Sequence, residues 1–540
     1  MKKVWGMGLS LVLAAGLMTG CAGSNPEEQK PANEQNSGEG NGKANNGGTP
    51  AEEAAKEPTK FSFLLPTTVS SGYHTRIPDL NKDKWVLKLE ALTNTDLDVK
   101  VMEDAKYGVM FASNDIPDVV GSIGGPGSKS MSGSVESGVF MPLDDLLKEH
   151  APNLMSAVPK AAWETVSYEG QIYGIPEFLK SPSRRATYIR TDLLEKTGLK
   201  PPTTVDEFLE VLRAFKKLGV ETPYQMRENF KYADIVLGAY DVLPYKDQFE
   251  LVDGQVVPKF FDAENMQKAL QVYKTMYDEG LIPKEFATIS STDFTKSIEA
   301  GKPGMWSQNA SGLPGYRTTV KAAVPEAAVD IIPSPKGPEG KGGYFLYSPV
   351  VRTFYINSNV DKDRAIEIVK FFDWMISEEA ERFFSVGIEG DTYTLDAGGA
   401  ISYKFPATKE EQEEESWRSG TMWAVHDATY NRLRLALNED GKATLEAFDN
   451  VLSQEGLPGI GFYPELNAFS KYPDLAAPQP DVGPKLIIDH MVKMIYGKEP
   501  ISDWPKVIEE YKAKGGDEII KEATERWNDK SGAVMIEHEN

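Results

Sequence analysis

One cysteine, five histidines and no apolar run of membrane length after Met18 set the limits of this 540-residue chain. With Cys21 its sole cysteine, no disulfide can close within the chain, and a fold of this size needs none. The histidines, His74, His150, His426, His490 and His538, stand far apart, and there is no His-Glu-x-x-His pair, no Gly-x-Ser-x-Gly elbow and no Walker loop. Carboxylates for glycoside hydrolysis are plentiful, but the sequence gives no separation between them. Positive charge is also short. The 58 Lys and Arg against 81 Asp and Glu leave a formal charge of -23, which argues against nucleic acid or anionic lipid as a partner. The chain is therefore expected to be no enzyme and to carry no cofactor and no metal.

What is present begins at the amino terminus. Lys2 and Lys3 precede an apolar run from Val4 to Met18, which ends in Thr19-Gly20-Cys21. The run is too short to span a bilayer comfortably and its end is small-residue, as in an export signal rather than a membrane helix. The segment resembles a lipobox, with Met18 where Leu is commoner. That likeness makes residues 1–20 a signal peptide and Cys21 the lipidation site, and two or more acyl chains would hold the protein stably on a membrane face. Ala22 to Pro58 contains no Val, Ile, Leu, Met or aromatic residue and cannot bury enough apolar surface to order itself. Residues 21–58 read as a tether, spanning on the order of 33 Å root-mean-square as a flexible coil.

From residue 59 onward helical and strand signals alternate, the α/β pattern. Strands are expected at Lys60 to Leu65, Leu97 to Met102 and Asp118 to Ile123, with a helix from about Asp83 to Leu92. The strand at Asp118 runs into Gly124-Gly125-Pro126-Gly127, a loop at a strand's carboxyl end, where open α/β sheets bind ligands. Thr204-Val205-Asp206-Glu207 is a capping box that starts a helix to about Lys217. Asp361 opens another, with Ile366, Val369, Phe372 and Ile376 on one stripe. Glu410 to Glu415 reads as a solvated acidic segment. Asp79-Leu80-Asn81-Lys82-Asp83 with Glu90 has calcium-loop spacing, but Lys84 stands where the turn needs Gly, so a loop and helix cap is the better reading.

Several segments in order resemble the extracellular solute-binding lipoproteins of bacterial ABC importers, in particular the large subgroup that binds oligosaccharides. They are Ser113-Asn114-Asp115-Ile116-Pro117-Asp118-Val119-Val120, Pro142-Leu143-Asp144-Asp145-Leu146-Leu147 with Ala151-Pro152-Asn153, and Tyr168-Glu169-Gly170-Gln171-Ile172-Tyr173-Gly174-Ile175-Pro176. Tyr188 to Leu194, Gly198-Leu199, the helix start at Pro202-Thr203-Thr204, Gly301-Lys302-Pro303-Gly304-Met305-Trp306, Ser377 to Ala380 and Gly387 to Tyr393 follow. Leu218 to Pro223 stands where many relatives carry an acidic calcium loop, which counts against such a site here.

The resemblance implies a two-lobed α/β fold of the periplasmic-binding-protein type II, with a ligand cleft between the lobes. It assigns residues 59–178 with about 333–376 to the first lobe and 179–332 with about 377–540 to the second. Pro176 to Ile189 is expected to cross between them, and Ile331 to Pro335 to return. It further implies a monomer on the extracytoplasmic face of the plasma membrane, with an oligosaccharide as ligand and ABC permease subunits as partners. A surface glycan-active enzyme and a sugar-sensing lipoprotein are the alternatives.

Sugars present C–H faces to aromatic rings and hydroxyls to planar polar groups. Trp306, followed by Ser307, Gln308 and Asn309, aligns with a cleft position of the family, although a Trp after Gly-Met also suits a core. Tyr73, Tyr344, Tyr347, Tyr393, Trp417 and Trp423 are further aromatic candidates. Arg184 and Arg185 can clamp a carboxylate, bridge hydroxyls or sit in ordinary ion pairs, and Glu389 can accept from hydroxyls or shape a turn.

Overall fold

The computed structural model describes residues 56–67, 72–128, 130–131 and 133–538. The signal segment, Cys21 and all but the last residues of the tether lie outside the described residues. No helix among the described residues is long and apolar enough to cross a membrane.

The first lobe is built on a five-stranded sheet in the order Thr95–Met102, Thr59–Pro66, Val119–Ile123, Val350–Ile356, Gly174–Phe178. Thr59–Pro66 is parallel to Thr95–Met102 and to Val119–Ile123, whereas Val350–Ile356 runs antiparallel to both its neighbours. Phe61, Phe63 and Leu65 face one core while Leu64 faces another, so both sides of the central strand are covered. The helix Lys84–Thr93 ends where Asn94 takes a left-handed conformation at φ 51°, releasing the chain into the next strand.

The second lobe has a four-stranded sheet ordered Val329–Ile332, Arg185–Arg190, Pro303–Asn309, Thr222–Tyr224. The capping box forms as expected: Thr204 accepts from the amide of Glu207, whose carboxylate reaches back, and the helix Val205–Lys217 buries Phe208, Leu212 and Phe215. The helix after Asp361 runs Lys362–Trp374, but its buried face is Ala365, Ile368, Val369 and Phe372. Ile366 and Ile376 are half-buried, so the stripe sits about one position round from the expected one.

The chain passes between the lobes at 179–184, 347–349 and 426–429, and the first passage lies between the other two. Leu179 N donates to Pro349 O at 2.9 Å and Tyr347 N to Pro182 O at 3.0 Å. On the other side Phe178 N donates to His426 O at 3.1 Å and Ala428 N to Phe178 O at 2.8 Å. These bonds correct the expected lobe limits. Ile331 and Ile332 belong to the second-lobe sheet, and Tyr344 and Phe345 pack in the second-lobe core, so the return comes after residue 346 rather than at Ile331 to Pro335. Residues 378–425, expected in the second lobe, belong to the first, because Ala380, Phe383, Phe384, Trp417, Met422, Trp423 and Val425 are buried against its sheet.

Two other expectations change. The Gly-rich loop after Ile123 packs against protein: a Cβ on Gly127 would stand 2.0 Å from Pro464 Cα of the second lobe, and one on Gly125 2.6 Å from Thr165 O. The acidic segment forms the helix Lys409–Ser416, and its glutamates are paired rather than simply solvated: Glu413 with Arg76, Glu414 with Lys84 at 2.9 Å and Glu415 with Arg434 at 2.7 Å. In the calcium-like string, Asp79 caps a short turn, Asn81 accepts from Val99 N and Glu90 accepts from Leu97 N. Among the described residues no cluster of His, Cys, Asp or Glu is arranged to hold a metal.

Candidate ligand cleft at the lobe crossing

Buried charge concentrates where the crossing passages meet, the candidate floor of a ligand cleft. Arg185, first residue of its strand, points into the second lobe with its side chain fully buried. It donates to Asp234 Oδ2 and to Asp481 Oδ2, both at 2.8 Å, and to Tyr347 Oη at 3.2 Å. Its guanidinium carbon lies 4.5 Å from the Tyr232 ring centre and 5.2 Å from that of Phe345. Lys231 reaches the other oxygen of Asp481 at 2.9 Å. Burial opposes the charge on Arg185, but Asp234, then Tyr347 and Asp481, outweigh it and hold its pKa above the ordinary value.

On the first-lobe side Arg352 donates to both carboxylate oxygens of Glu177, at 2.6 and 2.9 Å, and to the carbonyls of Thr421 and Trp423, both at 2.9 Å. His426, on the last passage, stacks on Trp423 with ring centres 4.0 Å apart and 9° between planes. Its Nδ1 is 3.6 Å from Glu177 and has no hydrogen-bond partner. Burial, with the nearby Arg352 charge second, lowers its pKa to about 3, so the ring is neutral at physiological pH.

Arg184 joins the two groups. It is half-buried, its guanidinium carbon 5.6 Å from the Tyr347 ring centre, and its carbonyl accepts from Ala310 N at 2.9 Å. Asn309 ends the neighbouring strand beside it, with Oδ1 3.5 Å from Tyr347 Oη, and Gln308 Oε1 accepts from Asn309 N at 2.9 Å. Arg184, Arg185, Gln308, Asn309 and Tyr347 are thus brought together, whereas Trp423 is a first-lobe core residue, its ring sandwiched between Phe384 at 5.4 Å and His426.

Other candidates lie elsewhere. Trp306 is 1% exposed, stacked on Tyr188 at 5.3 Å with Tyr316 edge-on at 5.6 Å, so it is a core residue rather than a cleft aromatic. Strand alternation explains this: Trp306 is opposite Tyr188 across the ladder and both point into a helix-covered face. Tyr344 is buried, its hydroxyl 2.7 Å from both Thr187 and Ser307. Tyr73 donates to Asp83 at 2.8 Å and stacks on fully buried Trp417, a separate first-lobe cluster. Tyr393 is buried beside the loop that carries exposed Glu389. Asp234, Asp481, Lys231, Arg352 and His426 escaped the sequence reading because they come from distant stretches with no local motif, and Glu177, though inside the expected crossing segment, carries no local sign of its pairing with Arg352.

Two cavities lie away from the crossing. A surface groove of about 820 Å³ runs between the hairpin of Phe249–Val252 and Gln255–Pro258 and the helix Asp517–Asn528, with Phe261 its sole aromatic wall. An apolar cavity beside Phe249, Phe462 and Tyr511 measures about 30 Å³, which is water-sized.

Two α/β lobes hydrogen-bonded through adjacent chain passages, with polar groups of both converging there, define the two-lobed solute-binding class. The family model described as bacterial extracellular solute-binding protein matches residues 80–382, more than half of the chain, and the chain belongs to that family. Its place is accordingly extracytoplasmic. The chain is 27% identical over 456 residues to lipoprotein LipO of Bacillus subtilis, covering 80% of this chain and 86% of that one. It is 26% identical over 475 residues to the polygalacturonan/rhamnogalacturonan-binding protein YtcQ of the same organism, covering 84% and 89%. Among solved structures, a solute-binding protein of Bifidobacterium longum infantis, associated with a transporter and described as binding HMO, superimposes with a TM-score of 0.64 at 16% identity, over 88% of this chain and 100% of that one.

Two outcomes test the site's electrostatics. Arg185→Ala leaves Asp234 and Asp481 with too little positive charge and should cost about 3–5 kcal/mol of stability. Arg185→Met with Asp234→Leu should recover much of that loss in thermal unfolding. Neutral His426 takes up a proton on unfolding between about pH 6.5 and pH 3, so the native state loses stability as pH falls through that window, by up to about 1.4 kcal/mol per pH unit. His426→Gln should flatten the acid limb of the melting-temperature profile; an unchanged limb would refute the neutral, buried ring.

Proposed function

We propose that this protein is a lipid-anchored, monomeric carrier that captures an oligosaccharide between its lobes and hands it to ABC permease subunits. The observation that carries the reading is the crossing floor itself. Groups from both sides, His426 on one and Arg184, Tyr347 and Asn309 on the other, stand around the passages about which the lobes must move. A ligand that touches both lobes binds the closed arrangement better than the open one, and only such a difference can drive closure. Aromatic faces beside planar amides and a guanidinium suit a polyhydroxylated ligand. The family and the carbohydrate named for YtcQ support the same class of cargo. The floor is assigned to binding without turnover.

A panel of oligosaccharides tests the reading by thermal unfolding. Ligand at 100 times its dissociation constant adds about 2.7 kcal/mol, a clear rise in melting temperature. The bound glycan should be recovered intact; no shift with any glycan, or cleavage of the one that binds, contradicts the proposal. The anchor is tested separately: Cys21→Ala should move the protein from the membrane fraction to the medium or to uncleaved precursor, and unchanged, lipid-labelled membrane protein would refute Cys21 as the lipidation site.

A further inference from the structure

The twin arginines do different work. Arg185 is consumed within the fold, since it and Lys231 match the carboxylates of Asp234 and Asp481. Glu177 is consumed likewise, with each oxygen taken by Arg352. Asp427, the carboxylate on the last passage, accepts from Lys180 N at 3.1 Å and Thr429 N at 3.0 Å and is turned onto the crossing backbone. His426 adds no charge at neutral pH. Arg184 is left: half-buried, supported by the face of Tyr347, and paired with no carboxylate among the described residues.

Arg184 and Arg352 both act on Glu177, so two guanidiniums face a single negative charge and one positive charge is left over. For neutral hydroxyls alone, amides such as Gln308 and Asn309 suffice, and no surplus positive charge is needed. A planar fork of donors matches a carboxylate, which it can hold bidentately.

We propose that Arg184 is a specificity-determining residue that selects oligosaccharides carrying a carboxylate, with a uronate unit seated at the crossing beside Arg184 and Tyr347. The proposal rests on the carbohydrate reading above and narrows it to acidic sugars.

Calorimetric titration with oligogalacturonates and oligomannuronates, each beside its carboxyl-reduced neutral counterpart, tests it. The acidic form of a bound glycan should bind at least tenfold more tightly than the reduced form, and the preference should shrink with added salt. Arg184→Gln should bring the ratio close to one while leaving the unliganded melting temperature in place, and Arg184→Lys should keep part of it. Equal affinity for acidic and reduced glycans overturns the proposal and leaves the carbohydrate reading standing. So does an Arg184→Gln variant that weakens both forms equally. Binding of neither form, with no other glycan shifting the melting temperature, overturns the carbohydrate reading and this proposal together.

Discussion

Burying Arg185 at the point where the lobes meet constrains everything around it. An isolated guanidinium cannot be taken out of water, so the fold must bring Asp234 from a short helix's start and Asp481 from far along the chain to the same spot. Arg352 and Glu177 repeat the requirement on the first-lobe side. Each pair ties a strand end beside a crossing passage to a distant segment. The lobes are thereby hung from rigid, internally neutral anchors, and the hydrogen-bonded passages between them are the elements free to adjust as a ligand is enclosed.

Neutral anchors also define what is left for a ligand. Once the paired charges are set aside, the floor presents one half-buried guanidinium, a neutral imidazole stacked on indole, a tyrosine ring and amide side chains. That is a recognition surface with orientation and little net charge. Its polar groups are few and come from both lobes, which is what links binding to closure.

Much of this was legible in the residues. The α/β alternation, the capping box at Thr204 and the order of short motifs from Ser113 to Tyr393 lead to the fold and family, because they report local geometry or shared descent. Long-range pairing is not written locally. Trp306 reads as a cleft aromatic until its ladder partner Tyr188 is known to stack on it, and the acidic run at Glu410 reads as solvated until Arg76, Lys84 and Arg434 arrive from elsewhere. The lobe limit near residue 376 failed for a similar reason. No Gly- or Pro-rich break marks the true crossing at 426–429, while burial of Phe383, Trp417 and Trp423 keeps the preceding stretch in the first lobe.

The central claim is that ligand sits on the crossing floor and touches both lobes. Amide hydrogen exchange with and without a saturating glycan tests it most directly, since protection reports each segment separately. The account predicts slowed exchange at 177–185, 308–310, 345–349 and 423–429 together. Protection confined to the groove between the 249–258 hairpin and the helix Asp517–Asn528, with the crossing unchanged, would contradict it.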